Sequence, residues 1–174
     1  MGIREGLLAL LSSEPKHGYQ LRSDFEEQTG GVWPLNIGQV YTTLERLARD
    51  ERVQAGQADS AGRTPYSITK AGRKELAAWF STAAADAAPP RDELMMKVLF
   101  AIATSGVDAA EVIDAQRSGL LVVLRTHRRA QQATGGELLQ TLLYDALISR
   151  VESDLRWLDV CQQRLAATKK GPNQ

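Results

Sequence analysis

Residues 36–47 read NIGQVYTTLERL, a pattern typical of a short amphipathic helix that carries its own N-terminal cap. Asn36 is a favoured N-cap residue, and Gln39, three positions later, can complete a capping-box-like pair with it. The apolar positions recur at the spacing of one helix face: Val40, Leu44 and Leu47. The stretch therefore predicts a helix that begins after Asn36 and buries one side.

The opposite face of this helix carries small, hydroxyl and guanidinium groups. At roughly 100° per residue, four positions lie away from the apolar stripe: Gly38, Thr42, Arg46 and Arg49. Small residues allow close approach to the major groove of DNA, and an arginine can pair with guanine or phosphate through two hydrogen bonds. Gln39 in the first turn could reach an adenine, and the hydroxyl of Tyr41, between the two faces, could donate to a phosphate. Glu45 is the one acidic residue on this face.

The elements on either side of the helix complete an informative order. Apolar periodicity predicts two helices before it, the first stopped by residues 12–15 and the second by residues 30–31. Residues 53–58 and 66–68 predict two short strands around a turn. Thr69 is expected to cap a fourth helix, which turns three side chains inward: Leu76, Trp79 and Phe80. This order predicts a winged helix-turn-helix, mainly α with a small two-stranded β-wing.

Charge is balanced over the whole chain but not along it. The 174 residues include 21 basic and 21 acidic side chains, a balance that argues at first against a nucleic-acid partner. From Arg46 to Lys74, however, there are seven basic side chains, Lys70 among them, and three acidic ones. Such a local excess can make one face of a neutral protein positive. Arg63 stands at the tip of the predicted hairpin, where it can enter a minor groove.

Beyond residue 91 every predicted element is helical. Residues 94–103 are apolar nearly all round, which predicts a buried helix. A last helix of about 30 residues carries a stripe expected to pair with a second copy of the chain: Leu143, Leu147, Val151, Leu155, Leu158 and Leu165. The predicted organisation is a DNA-binding domain at 1–82, a linker at 83–91, a helical dimerisation domain at 92–168 and a disordered tail at 169–174.

Composition argues against several classes of function. One cysteine and two histidines lie on separate segments, without the spacing of a catalytic pair or a metal site. We therefore expect no catalytic residue, no metal and no cofactor. The longest apolar run, 120–124, is too short to span a bilayer, and without a cationic–apolar–small pattern we expect no signal peptide. These features predict a cytoplasmic protein without a membrane partner.

Four segments of the chain resemble the PadR family of bacterial transcriptional regulators. They are residues 17–21, residues 36–47, residues 62–69 with Gly72, and residues 91–94 with Lys97. The resemblance implies a homodimer joined by its C-terminal helices, with the third helix in the major groove and the wing in the minor groove. It also implies a repressor that is released by a small molecule, with aromatic and phenolic compounds as the expected class.

The resemblance and the helix face together define the expected DNA contacts. The residues are Tyr19, Asn36, Gly38, Gln39, Tyr41, Thr42, Arg46, Arg49, Arg63 and Lys70. Family wings often carry a second basic residue before the tyrosine, whereas this chain has Thr64 and Pro65 there. The wing contribution therefore depends mainly on Arg63.

Two questions stay open on the sequence alone. A winged helix of zero net charge with Glu45 on its exposed face would also suit an adaptor that binds protein instead of DNA. Trp33, in the loop before the third helix, either anchors that loop or lines an effector pocket with Trp79 or Phe100. If double-stranded DNA is the partner, the two-fold symmetry of a dimer predicts a palindromic operator with half-sites about 34 Å apart.

Overall fold

The structure is a computed structural model that describes residues 2–60, 62–84 and 92–170. The chain divides into two compact units, Met1–Ala85 and Asp86–Gln174. Most of the expected linker and the end of the expected tail, residues 85–91 and 171–174, lie outside the described residues.

The first unit has the predicted winged helix-turn-helix architecture. Its helices are α1 (Ile3–Leu10), α2 (Gly18–Gln28), α3 (Ile37–Arg49) and α4 (Lys70–Ser81). Its strands are β1 (Lys16–His17), β2 (Val53–Ala55) and β3 (Pro65–Ile68), which form an antiparallel sheet in the order β1-β3-β2. The predicted wing is the β2–β3 hairpin.

The strand β1 was not expected from the sequence. It pairs with β3, so that Lys16 lies opposite Tyr66 and His17 lies opposite Pro65. Two residues are too few to show the alternation by which a strand is detected. Pairing with β3 therefore defines this strand, and it attaches the start of α2 to the wing.

One apolar core holds the first unit together. Six side chains from α1, its C-terminal cap and α3 are at most 1% exposed: Leu7, Leu8, Leu11, Val40, Leu44 and Leu47. Each fully buried aliphatic side chain contributes about 1.5–3 kcal/mol relative to an exposed one. The periodicity of these two helices therefore identified the main core faces correctly.

The start of α4 packs closely on the turn that follows α3. Thr69 caps the helix, since its Oγ1 accepts a hydrogen bond from Gly72 N at 3.0 Å. The same hydroxyl lies 2.8 Å from the carbonyl oxygen of Glu51, to which it donates. A Cβ on Gly72 would lie 2.2 Å from the carbonyl oxygen of Arg52. Only glycine fits this position without a shift of the backbone.

Charged side chains join α1, the end of α3 and α4. Arg4 Nε lies 2.8 Å from one carboxylate oxygen of Glu75, and Arg4 Nη1 lies 3.0 Å from Asp50 Oδ2. Arg52 Nε lies 2.6 Å from the other Glu75 oxygen. The hydrogen bond from Arg4 is the main reason why the pKa of Glu75 lies below its ordinary value; partial burial opposes this shift, and the bond from Arg52 adds to it.

This network predicts an acid-sensitive contribution to stability. Because folding lowers the pKa of Glu75, its carboxylate stabilises the folded protein above the ordinary pKa of 4.5. This stabilisation is lost as the pH falls through the lower pKa of the folded state. We expect Glu75→Gln to reduce the free energy of unfolding at neutral pH. As the pH is lowered, the free energy of unfolding of the variant should decrease less steeply than that of the wild type. Urea unfolding of both proteins between about pH 7 and pH 3 measures this difference. Parallel curves for the two proteins would contradict the assignment.

The second unit consists of three helices, α5 (Glu93–Ala103), α6 (Ala109–Ala133) and α7 (Leu138–Lys170). Val98, Ile113 and Leu158, one from each helix, are fully buried at its core. Arg117 on α6 also forms an ion pair with Asp159 on α7. The 33 residues of α7 are close to the predicted length, and they include positions 169 and 170, which the sequence had placed in the tail.

The prediction that Trp79 and Phe80 turn inward is wrong. They are 44% and 68% exposed, whereas Leu76 is buried as predicted. The two aromatic rings instead contact each other, with centroids 4.9 Å apart. Apolar periodicity identifies side chains that favour burial, but it does not show whether another element covers them.

The prediction of a buried α5 is also wrong for the described chain. The helix buries Val98 and Ala101, while Leu99 and Phe100 are 55% and 63% exposed. The helix α5 therefore has apolar side chains on more of its surface than the second unit buries. Within residues 2–60, 62–84 and 92–170, no helix has the length and hydropathy needed to cross a bilayer.

Candidate nucleic-acid interface

The helix α3 begins with the predicted capping box. Asn36 Oδ1 accepts a hydrogen bond from Gly38 N at 2.8 Å, and Gln39 Oε1 accepts one from Asn36 N at 3.2 Å. The two side chains thereby satisfy backbone donors at the start of the helix. They hold the first turn in place, and a Gln39 side chain that turned towards a ligand would have to share or give up its capping bond.

The exposed face of α3, which comprises Gly38, Thr42, Arg46 and Arg49, is the face that the periodicity predicts. All four residues are exposed, and the opposite side of the helix is fully buried. Thr43, at the edge of this face, is half-buried and donates from its hydroxyl to the Gln39 carbonyl oxygen at 2.7 Å. Thr42 and Arg46 are four residues apart, so they lie on adjacent turns of one exposed surface.

Two tyrosines pair beside α3. The rings of Tyr19 and Tyr41 meet edge to face, with centroids 6.4 Å apart and planes at 79°. Tyr19 is 59% exposed, while Tyr41 is half-buried. A Cβ on Gly18 would lie 2.8 Å from Tyr41 Cζ, so the glycine leaves the space that the Tyr41 ring needs. The first turn of α2 and the middle of α3 are thus fitted to each other.

A second capping box, missed by the sequence analysis, holds the start of α2. His17 Nδ1 accepts a hydrogen bond from Gln20 N at 3.2 Å, and Gln20 Oε1 accepts one from His17 N at 3.2 Å. The signal in the sequence was the spacing of three between His17 and Gln20, but histidine is not among the favoured N-cap residues. This box fixes the helix turn that carries Tyr19.

The wing tip holds Arg63 against Asp59. Arg63 Nε lies 2.8 Å from Asp59 Oδ2, and the backbone N of Arg63 donates to Asp59 Oδ1 at 2.9 Å. The side chain of Arg63 is nevertheless 54% exposed. Arg63 lies at the predicted tip, but its pairing with Asp59 was not predicted, because a spacing of four residues brings side chains together predictably only in a helix.

Ion pairs neutralise part of the basic excess between Arg46 and Lys74. Arg49 Nε lies 3.4 Å from Asp50, and Arg52 pairs with Glu75, one residue beyond that stretch. In the part of the chain that the structure describes, four basic side chains of the stretch form no ion pair within 4.0 Å: Arg46, Lys70, Arg73 and Lys74. Of these, Arg46 is the one on the exposed face of α3.

The candidate effector residues lie in both units. Trp33 and Trp79 line a cavity of about 610 Å³ in the first unit, together with Phe25 and Gln39. Phe100 belongs to α5 in the second unit. Among the described residues, no cluster of histidine, cysteine, aspartate or glutamate side chains is arranged to hold a metal ion.

The expected dimerisation stripe contributes to the core of the second unit. Val151 and Leu158 are 7% and 0% exposed within one chain. The other four residues are half-buried: Leu143, Leu147, Leu155 and Leu165. Larger exposed apolar surface lies elsewhere on α7, where Leu138 and Leu142 are 70% and 57% exposed.

The sequence matches two family models in succession. The first, described as the transcriptional regulator PadR-like family, matches residues 7–78, from within α1 to within α4. Residues 7–78 therefore form a PadR-like domain. The second model, described as the virulence activator alpha C-terminal domain, matches residues 90–166.

Two relatives are similar to this chain. It is 25% identical to the probable transcriptional regulator Rv1176c of Mycobacterium tuberculosis in an alignment 185 residues long, which covers 95% of this chain and 98% of the relative. It is also 25% identical to the negative transcriptional regulator PadR of Bacillus subtilis over 117 residues, which cover 66% of this chain and 64% of the relative. The family and both relatives are transcriptional regulators and not enzymes.

Solved structures of Bacillus subtilis PadR share the fold of this chain. The complex with operator DNA has a TM-score of 0.70 and 19% identity, and the comparison covers 94% of this chain and 99% of that one. The complex with p-coumaric acid has a TM-score of 0.72 and 19% identity, with 94% and 98% covered. These likenesses confirm the predicted winged-helix fold.

Proposed function

We propose that the protein is a sequence-specific DNA-binding regulator that inserts α3 into the major groove and places its wing in the adjacent minor groove. The observation that carries the proposal is the exposed Arg46, one turn from Thr42, on a helix whose opposite face is fully buried. An arginine in that position can donate two hydrogen bonds to a guanine. The operator DNA in the Bacillus subtilis PadR complex supports double-stranded DNA as the partner class.

The proposed contacts divide by the chemistry that each residue offers. Arg46 and Thr42 would meet base edges, and Gly38 would allow the first turn of α3 to approach the groove. Arg63 would enter the minor groove from the wing. The other residues would mainly position the protein on phosphates or support the helix start: Tyr19, Asn36, Gln39, Tyr41, Arg49 and Lys70. Phosphate contacts fix the register, whereas base contacts supply the specificity.

A mobility-shift assay with the DNA that flanks the protein's own gene tests the proposal. We expect a discrete complex at low salt that resists competition by unrelated DNA, and a footprint with two-fold symmetry. If the folded protein shifts no fragment at low salt, Glu45 on the exposed face of α3 would instead point to an adaptor that binds protein.

We further propose that the regulator is a homodimer joined through its helical second unit. Exposed apolar side chains concentrate on α5, where Met95, Met96 and Leu99 are 45%, 43% and 55% exposed. Contiguous exposed apolar surface of this kind is typical of an interface. A second copy of the chain would cover it and would present two copies of α3 to a palindromic operator, as a two-fold complex requires.

The dimer predicts a specific effect of charge on α5. Leu99→Glu should shift the protein from dimer to monomer at micromolar concentration, because burying an unpaired carboxylate in an apolar interface is unfavourable. Ala133→Glu, at an exposed position at the end of α6, is the control and should stay dimeric. Sedimentation equilibrium measures both variants. An unchanged dimer in Leu99→Glu would place the interface elsewhere.

We also propose that the protein is a repressor released by a small aromatic compound. The cavity between Trp33 and Trp79 has aromatic walls, and Gln39 at its edge belongs to the capping box of α3. A ligand there could therefore disturb the first turn of the helix. The name of the negative transcriptional regulator PadR supports repression, and the PadR complex with p-coumaric acid supports an aromatic ligand.

Titration with p-coumaric acid should quench tryptophan fluorescence and dissociate the complex of the protein with DNA. No response to a panel of such phenolic acids would count against control by a ligand.

A further inference from the structure

We propose that Asp59 is a specificity-determining residue of the wing. Asp59 neutralises the charge of Arg63 until Arg63 leaves it to enter a narrow minor groove. The proposal rests on the DNA-binding function proposed above. It assigns a role to an acidic residue that lies where a DNA-binding wing would be expected to carry only basic or neutral side chains.

The geometry of the tip ties the two residues together at both backbone and side chain. Asp59 N donates to the Arg63 carbonyl oxygen at 2.9 Å, and Gly62 N donates to the Asp59 carbonyl oxygen at 2.9 Å. The Asp59 carboxylate accepts from the Arg63 backbone N through Oδ1 and from Arg63 Nε through Oδ2, at 2.9 and 2.8 Å. The turn therefore delivers the guanidinium directly to the carboxylate.

The pair is placed so that DNA can compete for Arg63. The two side chains are 54% and 37% exposed, and ion pairs with that exposure are weak in water. A narrow minor groove concentrates negative potential and attracts an inserted arginine more strongly than a wide groove does. Arg63 would thus leave Asp59 where the groove is narrow, whereas elsewhere the tip would stay neutral.

The ion pairs around Glu75 differ from this pair in position. Arg52 pairs with Glu75 at the base of the wing, where the same carboxylate also binds Arg4. That arrangement joins elements of the fold. The Asp59–Arg63 pair links residues of a single turn at the end of the hairpin, so its charge balance acts at the tip that would meet DNA.

The variant Asp59→Asn tests this role while keeping the turn. The asparagine oxygen can still accept the Arg63 backbone N–H, but the negative charge is removed. We expect the slope of log affinity against log salt to become steeper by about one per protomer on unrelated DNA, which is roughly a three- to four-fold gain per protomer on going from 200 to 50 mM salt. Discrimination between A-tract and G·C-rich sequences under the wing should fall at the same time.

Two further variants separate charge from structure. Glu111→Gln, on the exposed surface of α6, removes the same charge far along the chain and should leave the salt slope unchanged. In an Arg63→Ala background, Asp59→Asn should have almost no effect, since no guanidinium remains to be released. If its effect persists there, the residue acts through loop structure and the proposal is wrong.

The remaining outcomes distinguish this inference from the function on which it rests. Wild-type protein that binds its operator, together with an Asp59→Asn variant of unchanged salt slope and unchanged sequence preference, would overturn the role of Asp59 alone. Wild-type protein that binds no DNA at low salt would overturn both proposals.

Discussion

Arg46→Ala is expected to weaken operator binding by about 1–3 kcal/mol per half-site, because an arginine that pairs with a base through two hydrogen bonds supplies discrimination of that size. Two protomers on a palindrome would lose about twice as much, or roughly 30-fold to 20,000-fold in affinity. Binding to unrelated DNA should fall far less, since Arg46 would contribute only one charge there. Titration of the footprinted operator and of a scrambled fragment at one salt concentration measures both losses.

Two variants show whether Arg46 contributes to operator binding through the geometry of its guanidinium group or through its charge. Arg46→Lys keeps the positive charge but not the planar pair of donors, so it should lose specificity while retaining the salt slope. Arg156→Ala removes one exposed charge from α7 and should leave operator binding nearly unchanged. Equal losses on operator and scrambled DNA in Arg46→Ala would make Arg46 a phosphate contact and would assign the base contacts to other residues.

Gly72→Ala is expected to destabilise the first unit, although alanine is the better helix former. A Cβ at this position would lie 2.2 Å from the Arg52 carbonyl oxygen and 2.8 Å from Ile68 Cγ1. Thr69 N donates to the same carbonyl at 3.0 Å, so that oxygen cannot move away without breaking a hydrogen bond. Overpacking of this kind costs about 1–3 kcal/mol, and the gain in helix propensity, at most about 1 kcal/mol, only partly offsets it.

Gly119→Ala provides a matched control for this effect. Gly119 lies inside α6, and apart from its chain neighbours and the nearby backbone of that helix, no described atom lies within 4 Å of the position where its Cβ would be. The same substitution should therefore stabilise the second unit by up to about 1 kcal/mol. Urea unfolding followed by circular dichroism compares the two variants. A Gly72→Ala protein as stable as the wild type would mean that the contact with Arg52 relaxes at little cost.

The helix α3 could be predicted in detail because its signals are local. Asn36 and Gln39 cap the helix, and Val40, Leu44 and Leu47 repeat at the helical spacing, so no distant residue was needed to place it. The same local reasoning placed Thr69 at the start of α4. Features that depend on a few neighbouring residues were therefore accessible from the sequence.

Features that depend on distant partners were not accessible in the same way. Charge counting identified Arg52 as part of a basic stretch, but its partner Glu75 lies 23 residues away. The count also treated Arg63 as a free charge, although the turn brings it to Asp59. Apolar patterning placed Phe80 inside the protein for a related reason, since it measures hydrophobicity and not the presence of a covering surface.

The short strand β1 has a consequence for how proteins with this architecture can change their DNA targets. His17 pairs with β3 and also caps α2, so the helix-turn-helix and the wing are braced together across two residues. Lengthening the hairpin loop would leave the distance between α3 and the base of the wing unchanged. New DNA targets would therefore be acquired by substituting side chains while the distance between α3 and the wing stays the same. An operator that needs a different distance between its major-groove and minor-groove contacts would require a different connection between α2 and β3.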